Sequence, residues 1–222
     1  LAAGEGTIRM VTLAPERKGA LDAVRLLADR GVIAAIGHTD ADEEVVGRAL
    51  EAGASVATHL FNAMPSIHHR TPGPIPRLLT DSRTTVELIA DGVHVQPSVL
   101  RLAIEASAGP WLLITDAMAA AAAPDGAYRL GPLDVDVVDS VARIRSTGAI
   151  AGSTLTLDRA VRFAIQEVGI DPADAVRAAS QTPADLLGRP DLGRIQAGAR
   201  ADLVVLGDDR TVERVIRGGV DL

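Results

Sequence analysis

Cysteine is absent from the 222 residues, which excludes a disulfide framework and any thiolate metal site. Aromatic residues make up 2% of the chain although 47% of it is hydrophobic, so the core has to be assembled from Ala, Val, Leu and Ile. That composition suits a helix-covered parallel sheet whose strands are buried on both faces. Lysine occurs only at Lys18, and arginine supplies the remaining positive charge against a net charge of −7. With no basic stripe, nucleic acid is not an expected partner. The longest apolar run, residues 117–123, is far shorter than the ~20 residues of a membrane-spanning helix. No signal peptide is visible, so a soluble cytoplasmic protein with no membrane partner is the expectation.

Short aliphatic runs alternate with amphipathic stretches. TIRMVTL (residues 7–13) reads as a strand, and ERKGALDAVRLLADRG reads as helical, stopped by Gly31 as a C-cap. Strand 32–36, helix 42–52 and strand 54–58 follow. A Pro- and His-containing loop, FNAMPSIHHRTPGPIP, is long enough to suggest function. With a short helix near 76–80, strand 84–90, helix 97–107 and strand 111–115, five strands alternate with helices, the signature of βα repeats. Residues 127–149 alternate apolar and polar residues between turn signals, the pattern of a small antiparallel insertion. Helices resume at about 154–168, 172–180 and 183–188. In the tail, ADLVVLG and VERVIRG read as strands with Asp208 and Asp209 at the turn between them.

The expected fold class is α/β, a partial (β/α)8 barrel with about five of its eight strands. An open five-stranded parallel sheet is the alternative. A closed barrel typically needs about 250 residues, and this chain opens without Met a few residues before a strand. The expectation is therefore a piece that lacks its first three strands. Residues 1–190 would form the partial barrel and residues 191–222 a separate tail of strands.

Chemistry-bearing side chains fall where strands end. VIAAIGH closes on His38, ASVATH on His59 and WLLITD on Asp116. In parallel α/β proteins, ligands gather outside the carboxyl ends of the strands. The 21 residues between the two histidines allow one turn, helix and strand, which would bring them side by side. A single strand-end histidine ordinarily bonds to backbone; two in register, with an acid ending a third strand, point to a metal site. A carboxylate there can take a proton from water and pass it on, although Asp is also a frequent cap. His94, just past another strand end, suits a substrate contact or a structural hydrogen bond equally. In the loop, Asn62 and the backbone near Ala63 could hold a polar ligand, and Arg70 suits bidentate phosphate binding. His68 and His69 would point in different directions as loop surface. Lys18 falls past a strand end, so no carbamylated bridging lysine is on offer.

The segments VTLAPE, GHTDA, THLFNAM, the Arg of HHRTPG, IADGVHV, LITDAM, GAIAGSTLTL and LGRIQAGARADLVVL resemble, in order and spacing, the N-acetylglucosamine-6-phosphate deacetylases of the amidohydrolase superfamily. The resemblance implies a (β/α)8 barrel with a β-sandwich tail, and a divalent metal (zinc first; iron, manganese or cobalt otherwise) on His38 and His59. It makes Asp116 the catalytic acid/base, with Asn62, the Ala63 backbone, Arg70 and His94 touching an amino-sugar phosphate in what is typically a homodimer. The family's acidic metal ligand and a carbonyl-polarising histidine would lie before Leu1; Glu16 does not match that acid. The chain departs from the family at Thr71, where an acid is usual, and in the alanine-rich AMAAAAAPDG after Asp116. Without the acid, these residues alone are expected to have negligible activity. Two rival readings are another amidohydrolase, such as a D-amino-acid deacylase or a dihydroorotase-like enzyme, and a non-catalytic sugar-phosphate-binding remnant.

Overall fold

The computed structural model describes residues 1–4 and 6–222. After a 3-10 turn at Ala2–Gly4, the βα series runs β1 (Met10–Leu13), α1 (Ala20–Asp29), β2 (Ile33–Ile36), α2 (Glu43–Glu51), β3 (Ala54–Ala57), α3 (Pro74–Thr80), β4 (Thr85–Ile89), α4 (Pro97–Ala106) and β5 (Trp111–Ile114). Then come β6 (Gly126–Leu130), β7 (Leu133–Val138), β8 (Val141–Ile144), α5 (Leu157–Gln166), α6 (Pro172–Ala179), α7 (Gln181–Leu186), β9 (Leu203–Leu206), β10 (Val212–Arg217) and β11 (Val220–Asp221). The first five strands form one sheet in sequential order, β1-β2-β3-β4-β5. The pairs β1–β2, β2–β3 and β3–β4 are parallel. Sequential parallel strands joined by helices are the βα arrangement anticipated from the periodicity.

Contacts divide the chain into two units, Leu1–Leu88 with Leu102–Leu112, and Ile89–Arg101 with Leu113–Leu222. In the first unit, α1 buries Ala20, Val24 and Leu27, one stripe at helical spacing. It stops where Gly31 takes φ 66, a conformation that costs glycine little. Its start is later than the sequence suggested, because Gly19 sits at φ 80 in the N-cap position and keeps residues 15–18 out of the helix. In α2, the Asp42 side chain accepts from the Val45 N–H at 2.8 Å and Glu43 and Glu44 occupy the first turn, both favourable at a helix N-terminus. Gly53 (φ 110) lies so close to α1 that a Cβ would meet Ala28 Cβ at 2.7 Å. The strand interiors are small and aliphatic, as the shortage of aromatics requires: IAAI in β2 and ASVA in β3.

In the second unit, β6, β7 and β8 form an antiparallel sheet, as expected for residues 127–149. Its core joins Val135, Val137 and Ala142 to Met118, Ala120 and Ala151. The alanine-rich segment after Asp116 therefore packs under this insertion. The tail is a second antiparallel sheet, β11-β10-β9. Its third strand, only two residues long, was not legible in the sequence. Among the described residues no helix is long and apolar enough to cross a membrane.

Candidate active site

The ends of β2 and β3 are built around a glycine. A Cβ on Gly37 would lie 2.8 Å from Thr58 Cβ and 2.9 Å from Thr12 Cγ2. With no side chain there, the Thr12 and Thr58 hydroxyls meet across the end of β2 at 3.1 Å. The next residue on each strand is a histidine, and the two rings come together as the spacing anticipated. His38 Nε2 and His59 Nε2 are 2.9 Å apart, with ring centroids 4.7 Å apart and planes at 76°. His59 is buried, 6% exposed, whereas His38 is open to solvent.

Both histidines have left-handed backbones, φ 49 at His38 and φ 30 at His59, and Asp116 beyond β5 has φ 50. Such conformations cost non-glycine residues of order 1–3 kcal/mol each and persist only where their surroundings enforce them. His38 and His59 adopt them side by side in the first unit, and Asp116 adopts one at the end of β5 in the second. The enforcement can be traced. The Glu16 carboxylate accepts from the Thr39 hydroxyl and, at 3.0 Å, from the Asp40 N–H, pinning the turn after His38. Burial pushes the Glu16 carboxyl up, but these hydrogen bonds outweigh it and hold the group below its usual range. Glu87, 5% exposed in β4, accepts from the His59 N–H at 3.3 Å. At Asp116, the backbone oxygen accepts from Ser153 N at 2.8 Å, and the Ser153 hydroxyl donates to the Thr115 carbonyl. Gly152 (φ 66) permits the approach, since a Cβ there would meet the Asp116 oxygen at 3.0 Å.

Sequence reasoning missed Glu87 and Ser153. A lone charge inside the wholly buried run TVELI could have flagged the first; Ser153 had no signal of its own.

After His59 the chain turns sharply, with Phe61 (φ 77) and Ala63 (φ 51) both left-handed. The Asn62 amide donates to the His59 and Leu60 carbonyls at 3.1 and 3.3 Å, so its nitrogen braces the turn. Arg70 is exposed, its guanidinium 2.7 Å from His69 Nε2. The expectation that His68 and His69 diverge is corrected. Their ring centroids are 4.5 Å apart, because the turn closed by the Thr71 N–H to His68 carbonyl bond folds the adjacent rings onto one side. Both are exposed, as expected of loop surface.

In the second unit, His94 follows β4 in the loop DGVH. Asp91 accepts from the backbone N–H of Val93 and His94, both at 2.8 Å, and from His94 Nδ1 at 2.6 Å. Burial pushes the Asp91 carboxyl up, but the His94 ring and the two N–H groups prevail and keep it below the usual range. Gly92 (φ 75) shapes the loop and lies against Phe163 of α5, whose Cε2 would be 2.9 Å from a Cβ.

The histidine pair offers two imidazole donors of the kind that bind zinc and similar ions. Two nitrogens facing each other at 2.9 Å fit a shared ion, since zinc–imidazole bonds are ~2.0–2.1 Å. Among the described residues no group of three His, Cys, Asp or Glu is placed to hold a metal, so the described residues bring together this pair alone.

Several known proteins are similar to this chain. N-acetyl-D-glucosamine-6-phosphate deacetylase from Mycobacterium smegmatis is 52% identical and superposes with a TM-score of 0.94, covering all of this chain and 60% of that one. An Asp-to-Ala variant of it in complex with N-acetyl-D-glucosamine 6-phosphate superposes equally well, with a TM-score of 0.94. N-acetylgalactosamine-6-phosphate deacetylase from Escherichia coli O157:H7 is 41% identical over 97% of this chain and 57% of its own length. N-acetylglucosamine-6-phosphate deacetylase from Vibrio furnissii is 42% identical over 92% of this chain and 51% of its own. The chain thus spans about half the length of the curated relatives it matches. The five-stranded parallel sheet with added antiparallel strands corresponds to the TIM-barrel-like fold of these enzymes. Residues 9–221 match the amidohydrolase family, and the chain belongs to it.

Proposed function

We propose that the protein containing this chain hydrolyses the N-acetyl group of N-acetylglucosamine 6-phosphate, yielding glucosamine 6-phosphate and acetate. The observation that carries the reading is the pairing of His38 and His59, Nε2 to Nε2 at 2.9 Å, on left-handed backbone where parallel strands end, a conformation that Asp116 shares at the end of its own strand. Identity of 52% to the M. smegmatis deacetylase supports the substrate. His38 and His59 would hold the divalent ion, zinc first. When bound, the ion supplies Lewis acidity and lowers the pKa of water toward neutrality.

Asp116 takes a proton from the water whose oxygen bonds to the acetyl carbonyl carbon. The C–N bond then breaks as Asp116 returns that proton to the departing amine nitrogen. Asn62 Oδ1 and the Ala63 backbone orient the sugar. Arg70 and His94 take the phosphate, whose binding energy positions the amide. The galactosamine epimer is a second substrate to be tested, because a relative named for it is 41% identical.

A homodimer, a cytoplasmic location and a β-sandwich formed by residues 191–222 belong to the same proposal. The net charge of −7 supports the absence of nucleic acid from the partners. Acetate release by the whole protein from both 6-phosphates and from unphosphorylated N-acetylglucosamine tests the reading. Turnover of the glucosamine 6-phosphate derivative at least tenfold above the unphosphorylated sugar is expected; equal rates, or turnover of acylated amino acids instead, would overturn it.

A further inference from the structure

Resting on that reading, we infer that Asp91 is a positioning residue that makes His94 a hydrogen-bond donor, through Nε2, to the anionic group of the substrate. The Asp91 carboxylate is committed on both oxygens. Oδ1 accepts from the Val93 and His94 N–H groups, both at 2.8 Å, which fixes the loop. Oδ2 accepts from Nδ1 of the His94 ring at 2.6 Å, which fixes the ring. An ionised carboxylate only accepts, so the Nδ1 proton stays on the imidazole and Nε2 is left to meet a ligand.

Both side chains are nearly buried, 6% exposed for His94 and 10% for Asp91. A phosphate reaching Nε2 therefore meets a ring already fixed in place by Asp91. Gly92 adds the constraint that holds the arrangement, because its φ of 75 and its contact with Phe163 leave the loop little room to shift. The carboxylate three residues upstream therefore sets what kind of group His94 is, without touching the ligand.

Asp91→Asn separates this role from a structural one, because asparagine can still accept the two backbone N–H groups while the charge is lost. In the whole protein, KM for N-acetylglucosamine 6-phosphate should rise tenfold or more with kcat changed less than threefold. KM for unphosphorylated N-acetylglucosamine should stay within twofold. A merely structural role would lower the melting temperature and damage both substrates alike, and that result would overturn the assignment.

Nitrogen-15 spectra of His94 provide a readout that needs no turnover. The wild type should hold the proton on Nδ1 and gain one on Nε2 when inorganic phosphate is added, and Asp91→Asn should lose the phosphate response. An Nε2–H tautomer in the free wild type, or identical phosphate responses in both proteins, would contradict the inference. If no sugar phosphate is turned over, the substrate reading fails, while these spectra still decide between a donor set by Asp91 and one that is not.

Discussion

Two pairs of histidines touch in this molecule, and they differ in every respect except contact. His38 and His59 lie 21 residues apart, and their rings meet at a centroid distance of 4.7 Å only because β2 and β3 are neighbours in the sheet. His68 and His69 are consecutive, and their rings meet at 4.5 Å in an exposed loop. The first pair sits on left-handed backbone held by hydrogen bonds from other segments; neither residue of the second has a positive φ. Ring proximity by itself therefore says little about function. Convergence of distant residues, at a conformational cost the fold has to offset, says much more.

The largest effect that should separate the pairs is metal loss. His59→Ala in the whole protein is expected to abolish tight metal binding and reduce kcat/KM by about a thousandfold or more, since one ligand of a small set is removed. His68→Ala should change kcat/KM less than about twofold, as exposed surface substitutions do. Metal analysis and acetate release on both variants check the contrast.

Asp116 shares the strained backbone of the first pair but is assigned a different task. Asp116→Asn should lower kcat by about a hundredfold or more, the scale of general acid–base catalysis, with metal content nearly unchanged. Co-purified metal falling in step with activity would instead make Asp116 a ligand.

Arg70 tests whether the exposed loop contributes anything. Removing its charged hydrogen bond should cost about 1.5–3 kcal/mol in binding the phosphorylated substrate and almost nothing for the unphosphorylated sugar. Equal losses on both would assign Arg70 a structural role beside His69.

Gly37→Ala should destabilise the protein by about 1–3 kcal/mol, because the new methyl would lie 2.8 Å from Thr58 Cβ and 2.9 Å from Thr12 Cγ2, too close to be accommodated without a shift. Denaturant unfolding measures it, and the His38–His59 pair should lose metal affinity as Thr12 and Thr58 are pushed apart.

The smallest effect lies away from both pairs. Asp81 is held down to about 2, first by its hydrogen bond from the Arg83 side chain, against an ordinary 3.8. A carboxyl lowered in the folded state stabilises above pH ~3.8, and that contribution is lost as pH falls toward ~2. After discounting for the half-exposed Arg83, about 1 kcal/mol of acid-dependent stability should vanish in Asp81→Asn, as read from unfolding between pH 5 and 2.

How much of this could be read from the sequence depends on the range of the interaction. The helices and parallel strands were legible because burial repeats at a local period, and because Gly31 and Asp42 mark helix ends chemically. The histidine pair was legible because one βα step has a nearly fixed length. The start of α1 was misread because nothing local reveals that Gly19 takes φ 80. Glu87 and Ser153 meet their partners, the His59 N–H and the Thr115 and Asp116 carbonyls, only when segments distant in sequence fold together. Asp91 was the nearest miss. A carboxylate three residues before a histidine, with glycine between them, is a turn that can bring the two side chains together, yet DGVH was read for His94 alone.

X-ray absorption at the metal edge of the purified whole protein tests the central claim most directly, since it counts the imidazoles around the ion. The account predicts scattering from two histidine rings in the wild type, reduced in His59→Ala and unchanged in His68→Ala. A metal with no imidazole in its shell, or an undiminished signal in His59→Ala, would contradict it.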